Sequence, residues 1–367
     1  MSNSTLSTMT SRERVLRAMK RQIPDRVPFD LSWGLTGPMY DIFKEKTGHT
    51  SPDEYFGVDT RMLMSAPTTL KNDYSKYFKN LPEKAFIDEW GVGHLPTESD
   101  DKSHSHLEGF IYPMLKLSTV RDVMDYPLPD MDAYYRHEYM TSAVKDIQGK
   151  GFAVLGSMAC TIFEVAWYMR SMELLMMDFI DNQEFAEAFL DRITEKREGQ
   201  ARNMAESGID VLMLGDDVAS QRSMIMSVPM WRKWLKGRLA RVIKAARTVR
   251  PDILIFYHSD GNILPVVEDL IEVGVDILNP IQCECVDPAE LKLKFGDRLS
   301  FWGTIGTQTT LPFGTPDDIR NEVKLRMETV GNGGGLLLGP THFVEPEVPW
   351  ENLVAFVEAV KEFGVYR

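Results

Sequence analysis

Short apolar runs alternate with longer amphipathic segments from residue 150 onwards, and no other feature of this 367-residue chain constrains its fold as strongly. The runs read FAVLG, DVLMLG, ILIFYH, DILNPI, LSFWG and GGLLLG. Between them, apolar residues recur at steps of three and four, which is the spacing of an amphipathic helix. Strands and helices repeated in this order predict a parallel sheet, because parallel neighbours must be joined by a crossover connection.

The number of strands favours a closed barrel. The six runs and a seventh strand predicted over residues 27–32 leave one strand, within residues 50–115, to complete an eight-stranded barrel. An open doubly wound sheet is the alternative, but no glycine-rich phosphate-binding fingerprint follows the first strand. We therefore predict one (β/α)8 (TIM) barrel domain of the α/β class over residues 1–367. A helical segment over residues 1–22 precedes the barrel, and an irregular insertion of loops and a hairpin occupies residues 35–135.

The charge balance disfavours a nucleic-acid partner. The formal net charge is −13, whereas phosphate binding needs clustered basic side chains. No window holds the roughly 18 consecutive apolar residues of a membrane span, and the N-terminal stretch lacks the apolar core of a signal peptide. We therefore expect a cytoplasmic protein. The three cysteines, Cys160, Cys283 and Cys285, do not indicate a disulfide framework.

Polar residues stand where the predicted strands end. In a barrel of this kind, the carboxyl ends of the strands form the face that carries the active site. The residues at these ends are Asp30, Trp33, Ser157, Asp216, Asp217, His258, Asp260, Asn279, Gln282, Thr304, Thr307 and His342. A single histidine after a strand is usually structural, and Asp260-Gly261-Asn262 is a standard turn sequence. Two histidines and several aspartates on one rim, however, predict a functional site.

Nearly the whole chain resembles the uroporphyrinogen decarboxylase superfamily, which includes corrinoid-dependent methyltransferases. The resemblance is carried by IFEVAWYMR, LGDDVASQ, FYHSDGNI, GVDILNPIQ, FGDRLSFWGTIGTQTTLPFGT and GPTHFVEPEVPWENL. It implies either decarboxylation or methyl transfer, and it allows a homodimer. In the decarboxylases an arginine-rich segment after the first strand meets the substrate's carboxylates, but residues 28–40 here contain no arginine. A polyacidic porphyrinogen would also meet an acidic protein, so the methyltransferase branch is favoured.

The resemblance also implies a metal site. In the methyltransferases that serve coenzyme M, the pattern is His, one residue, Cys, and a distant Cys. This chain has His258-Ser259-Asp260 and, at the distant place, His342. Both thiolates are replaced by residues that still bind metals, so we predict that His258, Asp260 and His342 hold zinc or another divalent ion. Cys283 and Cys285 are spare candidate ligands, although small apolar loop residues would look the same.

The replacement of both thiolate ligands changes the kind of substrate that we expect. Two imidazoles and a carboxylate leave a more electrophilic ion than thiolates do, and such an ion suits polarisation of an ether oxygen. We predict an O-demethylase-like enzyme that passes a methyl group from a small methylated donor, such as a methoxylated aromatic, to cobalamin on a separate corrinoid protein. Four rings would stack on such a donor, and two amides complete the predicted substrate-binding set. The set is Trp33, Tyr257, Trp302, Phe343, Asn279 and Gln282.

Four carboxylates are candidate catalytic groups. Asp216 and Asp217 are adjacent and cannot face the same way on a strand, so we expect one to cap a turn and the other to face the pocket. Glu164 and Asp30 are the further candidates. A decarboxylase-like lyase that uses Asp30 or Asp217 without a metal is the alternative enzyme. A corrinoid or tetrapyrrole carrier without catalytic activity is a third interpretation.

Overall fold

The computed structural model describes residues 9–95 and 109–366. Within them the helices are α1 (Ser11–Met19), α2 (Gly37–Thr47), α3 (Pro52–Phe56), α4 (Val120–Asp125), α5 (Met140–Gly149), α6 (Phe163–Arg170), α7 (Met172–Asp181), α8 (Gln183–Glu206), α9 (Val228–Trp231), α10 (Gly237–Val249), α11 (Val267–Val273), α12 (Pro288–Phe295), α13 (Thr310–Phe313), α14 (Pro316–Thr329) and α15 (Trp350–Phe363). A π-helical segment, Arg232–Lys236, joins α9 to α10. No helix in the described ranges has both the length and the apolar character needed to cross a bilayer.

The strands are β1 (Thr60–Leu63), β2 (Phe86–Ile87), β3 (Gly93–Leu95), β4 (Gly109–Ile111), β5 (Ala153–Met158), β6 (Val211–Gly215), β7 (Leu254–His258), β8 (Ile277–Asn279), β9 (Ser300–Trp302) and β10 (Leu336–Leu337). Seven of them form one sheet in the order β1-β5-β6-β7-β8-β9-β10, and β2-β3-β4 form a second, antiparallel sheet. The pairs β6–β7, β8–β9 and β9–β10 are parallel.

The predicted α/β alternation is confirmed in this sheet. Each of the six apolar runs contains a strand, from β5 to β10, and amphipathic segments between them form helices such as α8 and α14. The strand expected within residues 50–115 is β1. The chain therefore has the predicted α/β architecture, but its main sheet has seven strands where the sequence predicted eight.

The strand predicted over residues 27–32 is reduced to isolated bridges. Phe29 pairs in parallel with Leu338, and the Asp30 amide donates to the Leu338 carbonyl at 3.0 Å. On the other side, the Asp59 amide donates to the Phe29 carbonyl at 3.1 Å. The extended conformation ends early because Ser32 has a φ of +53°, which turns the chain away from its neighbours.

The chain divides into two compact units, of which the first comprises Met1–Leu63, Ala143–Leu155 and Val275–Arg367. The N-terminal helix α1 starts at a capping box in which Thr10 and Glu13 satisfy each other's backbone amides. Asp59 is fully buried and lies 2.8 Å from both Arg14 and Arg26. Burial of this carboxylate is tolerated because two guanidinium groups and the Phe29 amide, which donates to Asp59 Oδ2 at 3.0 Å, compensate the lost hydration.

The second unit comprises Met64–Ser142 and Gly156–Gly274. Its helices α8 and α10 pack against each other, and α4 packs on α8. Phe179 and Trp234 stack with ring centroids 4.7 Å apart. In the antiparallel sheet, Phe86 stacks on His94 across β2 and β3 at 4.8 Å. Part of the predicted irregular region, residues 35–135, therefore contains regular elements, namely α2 to α4 and β1 to β4.

Candidate functional site

His258 is the last residue of β7, and its position depends on close contact with β6. Gly215 is the register partner of His258 in the parallel β6–β7 pair. A Cβ atom at position 215 would lie 2.7 Å from the His258 Cβ and 2.8 Å from its carbonyl oxygen. The Asp216 amide donates to that carbonyl at 3.1 Å. The glycine at the end of β6 therefore lets the two strands place the His258 ring, which is buried.

Two aspartates flank the His258 ring. The Nε2 atom lies 3.7 Å from Asp260 Oδ1 and 3.8 Å from Asp217 Oδ1, and both separations are longer than a hydrogen bond. The two aspartates are joined, because the Asp260 amide donates to Asp217 Oδ1 at 2.8 Å. Their side chains are 36% and 39% exposed. Gly261 follows with a φ of +85°, a backbone conformation that favours glycine. A Cβ atom at this position would also lie 2.4 Å from the Ser220 carbonyl oxygen.

His342 lies in the loop that follows β10. Its ring meets the Phe343 ring edge to face at 5.1 Å. The neighbouring Thr341 hydroxyl lies 2.8 Å from the Thr307 hydroxyl, and the Val344 amide donates to the Gly34 carbonyl at 3.0 Å. Hydrogen bonds to two other loops therefore hold the backbone on both sides of His342.

The three predicted metal ligands form a candidate metal-binding group. His258, Asp260 and His342 each offer one ligand atom, and these atoms all lie within 4.8 Å of one another. Two imidazoles and one carboxylate are a donor set found in catalytic zinc sites, where three protein ligands leave a fourth position open. The residues present therefore fit zinc or a similar divalent ion. Cys283 and Cys285, the spare candidates, are not in this group.

Asp216 caps helix α6. Its carboxylate accepts the Ile162 amide at 2.9 Å and the Glu164 amide at 3.0 Å. Burial raises the pKa of Asp216 to about 6, while the backbone hydrogen bonds from α6 and the Arg197 guanidinium oppose the shift. The side chain is thus committed to the start of α6, whereas its neighbour Asp217 points towards the His258 ring.

Glu164, in the first turn of α6, forms a hydrogen bond to the backbone of Asp217. Its Oε2 accepts the Asp217 amide at 3.1 Å, and its Oε1 accepts the Tyr168 hydroxyl at 3.0 Å. Burial raises the pKa of Glu164, and the charges of Asp217 and Asp216 raise it further. A carboxyl group in this environment keeps its proton closer to neutral pH than an exposed glutamate does.

Asp30 and Trp302 interact directly in the first unit. The Trp302 indole donates to Asp30 Oδ2 at 2.9 Å, and the Ser32 amide donates to Oδ1 at 2.9 Å. Burial raises the pKa of Asp30 to about 8, against the lowering effect of these two hydrogen bonds. Asn279 donates to the Trp302 carbonyl at 2.9 Å. This predicted catalytic group and two predicted substrate-binding residues therefore form one buried network.

The other predicted substrate-binding residues differ in exposure. Tyr257 is 2% exposed, and its hydroxyl donates to the Asp216 carbonyl at 3.4 Å. Gln282 is also buried, and its carbonyl accepts the Cys285 amide at 2.8 Å. Trp33 and Phe343 are half-buried. Of the four predicted stacking rings, these last two keep the larger exposed surface, because Tyr257 and Trp302 lie on strands inside the core.

Several residues around α6 were not predicted as site residues. The Cys160 thiol lies 4.0 Å from the Tyr168 hydroxyl, and burial raises its pKa well above the usual range of a thiol. The Arg197 guanidinium donates to the carbonyls of Cys160 and Thr161 at 2.9 Å each, and burial lowers its pKa to about 10. The four-residue spacing of Glu164 and Tyr168 on a helix was a sequence signal for the hydrogen bond between these two side chains.

The amino-acid sequence is similar to one protein family and to several characterised proteins. The profile of the uroporphyrinogen decarboxylase (URO-D) family matches residues 109–363. The methylcobamide:CoM methyltransferase MtaA of Methanosarcina barkeri is 29% identical over 220 residues, which are 60% of this chain and 61% of that protein. The uroporphyrinogen decarboxylase of Pseudomonas syringae pv. tomato is 23% identical over 258 residues, or 68% and 70% of the two chains.

A solved structure described as a methyltransferase from Methanosarcina mazei superposes with a TM-score of 0.67, at 23% identity, and covers 97% of this chain and 99% of that one. At this identity the likeness establishes the fold. The chain aligns to about three fifths of the length of the MtaA protein, so the activity of that relative is not transferred by alignment alone.

Proposed function

Because the chain belongs to the uroporphyrinogen decarboxylase family, we propose that it is a corrinoid-dependent methyltransferase of that family. It takes a methyl group from a small methylated donor and passes it to cobalamin on a separate corrinoid protein. His258, Asp260 and His342 hold the zinc or other divalent ion that this reaction uses. The single observation that carries the proposal is the clustering of these three ligand atoms within 4.8 Å, next to the exposed carboxylate of Asp217. The similarity to the methylcobamide:CoM methyltransferase MtaA supports it.

The proposed scaffold is one closed (β/α)8 barrel. Residues 28–30 form backbone hydrogen bonds to Leu338, beside β10, and to Asp59, beside β1. These bonds support residues 28–30 as the eighth strand between the two ends of the seven-strand order. The carboxyl ends of the strands would then surround one reaction site, as in other barrels of this class.

His258, Asp260 and His342 would hold the metal, whose Lewis acidity would weaken the bond between the oxygen and the methyl group of the donor. Asp217 is oriented by two fixed contacts, because its amide is held by Glu164 and its Oδ1 accepts the Asp260 amide. It can therefore accept a hydrogen bond from the donor molecule beside His258. Glu164, with its raised pKa, serves as the proton source for the oxygen that loses the methyl group.

The proposed donor is an aromatic methyl ether. Phenolate is a better leaving group than an alkoxide, so such a donor needs less activation than an aliphatic ether. Trp33 and Phe343 are half-buried and offer ring surface for stacking. The buried network of Asp30, Trp302 and Asn279 would support this wall rather than contact the donor.

The test is incubation with reduced cobalamin and a panel of methoxybenzoates, methanol and methylated thiols, followed by methylcobalamin absorbance. We expect methylcobalamin to form with a methoxylated aromatic. His258→Ala should abolish formation and reduce bound zinc, whereas Asp252→Asn, an exposed change before β7, should leave both unchanged. Equal methyl transfer by His258→Ala would refute the metal-based proposal.

A metal-independent decarboxylase is the second candidate. The observation that favours it is Asp30, a buried acid whose pKa burial raises to about 8. Release of CO2 from uroporphyrinogen by metal-free, chelator-treated protein would establish this candidate. Loss of Asp30 should then abolish CO2 release, and loss of His342 should not.

A further inference from the structure

Thr161 bonds the carboxyl end of β6 on the side opposite His258. In the sheet, β6 has β5 on one side and β7 on the other. At Gly215, the last residue of β6, the neighbour on β7 is His258. On the other side β5 has already ended at Met158. There the Thr161 amide donates to the Gly215 carbonyl at 2.7 Å, and the Gly215 amide donates to the Thr161 hydroxyl at 2.9 Å.

The Thr161 hydroxyl replaces a strand carbonyl as the acceptor for Gly215. The chain leaves the extended conformation at Cys160, whose φ is +55°, so a regular strand does not continue to this point. The hydroxyl donates its own proton to the Met158 carbonyl at 2.8 Å, which directs its lone pairs towards the Gly215 amide. Thr161 is fully buried. Solvent therefore does not compete for either hydrogen bond.

Arg197, on α8, fixes the same loop from its other side. Its Nε donates to the Thr161 carbonyl and its Nη2 to the Cys160 carbonyl, at 2.9 Å each, while its Nη1 donates to Gln200 Oε1 at 2.7 Å. The guanidinium is almost fully buried, and all three acceptors are uncharged. A buried charge is costly to desolvate, and the carbonyls of this loop supply part of the compensation. Arg197 thus holds the backbone of Thr161 while the hydroxyl holds Gly215.

The position of Gly215 determines that of His258 because the two strands touch there. A Cβ atom at residue 215 would lie 2.7 Å from the His258 Cβ. The next residue, Asp216, donates its amide to the His258 carbonyl at 3.1 Å. Without the Thr161 hydroxyl, the buried Gly215 amide would lose its acceptor, which is unfavourable. The end of β6 would then shift to find another acceptor, and the His258 ring would shift with it.

We propose that Thr161 is a positioning residue of the candidate metal site, whose hydroxyl fixes the end of β6 and through it the His258 ring. Thr161 acts on His258 through the backbone of Gly215 and has no exposed surface with which to meet a substrate. The consequence for zinc rests on the proposed function. The position of the ring is measured without metal, so the two can be tested separately.

Thr161→Val tests the proposal because it keeps the volume and the branched shape but removes both hydroxyl hydrogen bonds. In metal-free full-length protein with isotope-labelled histidine, we expect the His258 side-chain NMR signal to shift. The signal is assigned by its absence in His258→Ala. Zinc affinity, measured by competition with a chelator, should fall by about tenfold. Thr161→Ser retains the hydroxyl and should restore both the signal and the affinity.

Thr194→Val is the matched control. Thr194 is also fully buried, but its hydroxyl donates to the Leu190 carbonyl at 2.7 Å within α8. Both valine variants lose a buried hydroxyl, so both should unfold at lower urea concentration than the wild type. Only Thr161→Val should move the His258 signal and weaken zinc binding. The pair therefore separates positioning of the ring from general destabilisation.

Arg197→Lys provides a variant that does not alter Thr161. A lysine keeps the positive charge but lacks the planar fork that donates to two carbonyls at once, so it should shift the His258 signal to a smaller extent. An unshifted signal in folded Thr161→Val protein, an equal shift in Thr194→Val, or no restoration by Thr161→Ser would overturn the proposal. A shifted signal in Thr161→Val, with no zinc binding even by the wild type, would support the positioning role and refute the metal-based function.

Discussion

Gly215→Ala tests whether the contact between β6 and β7 positions the His258 ring. The new Cβ would lie 2.7 Å from the His258 Cβ, whereas unstrained carbon contacts are about 3.5–4.0 Å. One strand must therefore move by roughly 0.8 Å or more. Metal sites tolerate ligand displacements of about 0.2 Å, so the His258 ring would leave the position proposed for a metal ligand.

We expect zinc affinity to fall by about 10- to 100-fold, the effect typical of changes that misorient a metal ligand. Overpacking between the strands should destabilise the protein by about 1–3 kcal/mol. Zinc affinity is measured by competition with a chromophoric chelator, and stability by urea denaturation of metal-free protein.

The control is Gly237→Ala at the start of α10, where an added Cβ meets nothing within 4 Å. This change should leave zinc affinity unchanged and stabilise the helix slightly, because alanine is the better helix former. A folded Gly215→Ala protein with wild-type zinc affinity would show that the glycine does not position His258, and the reasoning would be wrong.

Three further predictions concern buried carboxyl groups. Asp30→Asn should flatten the pH dependence of stability. Burial raises the pKa of Asp30 to about 8 in the folded state, so wild-type stability falls as pH rises from about 4 through 8. The free energies of urea unfolding at pH 6 and pH 9 should therefore differ less in the variant, and an unchanged difference would contradict the role of Asp30. Asp59→Asn should destabilise the protein by about 3–5 kcal/mol, because Arg14 and Arg26 lose their shared partner; a midpoint within error of wild type would exclude this role. Glu164→Gln should keep the hydrogen bond from the Asp217 amide but lower the methyl-transfer rate by about 10²- to 10⁴-fold. It should also remove the alkaline limb of the pH profile of methyl transfer. A loss of rate with an unchanged pH profile would indicate that Glu164 only positions Asp217.

The different contacts of the two adjacent aspartates show what can be predicted from the local sequence and what cannot. Alternation on a strand predicts that Asp216 and Asp217 face different ways. It does not predict that Asp216 caps α6, because the amides of Ile162 and Glu164 that it accepts lie more than 50 residues earlier. Which aspartate is committed to a helix and which is left beside His258 depends on where α6 begins relative to β6.

The predicted stacking rings illustrate the same limit. The sequence alone does not distinguish the four aromatic residues near the strand ends, Trp33, Tyr257, Trp302 and Phe343. In the structure, Tyr257 and Trp302 are almost fully buried. The side of the strand on which a ring falls, and what packs over it, decide whether it meets a ligand. Arg197, by contrast, gave no separate signal, since it reaches the Cys160 carbonyl only after α8 has packed beside α6.

By itself, the sequence determined the order of strands and helices from residue 150 onwards, the N-terminal helix and the family, and it predicted His258, Asp260 and His342 as one ligand set. These follow from local periodicity, from capping residues and from a pattern of motifs, each of which is written within a few residues. Only the tertiary structure decided which carboxylates cap helices, which aromatic rings are buried, why residue 215 must be glycine, and that Thr161 bonds the end of β6. Those outcomes depend on distances between atoms far apart along the chain, and side-chain packing sets these distances rather than local propensity.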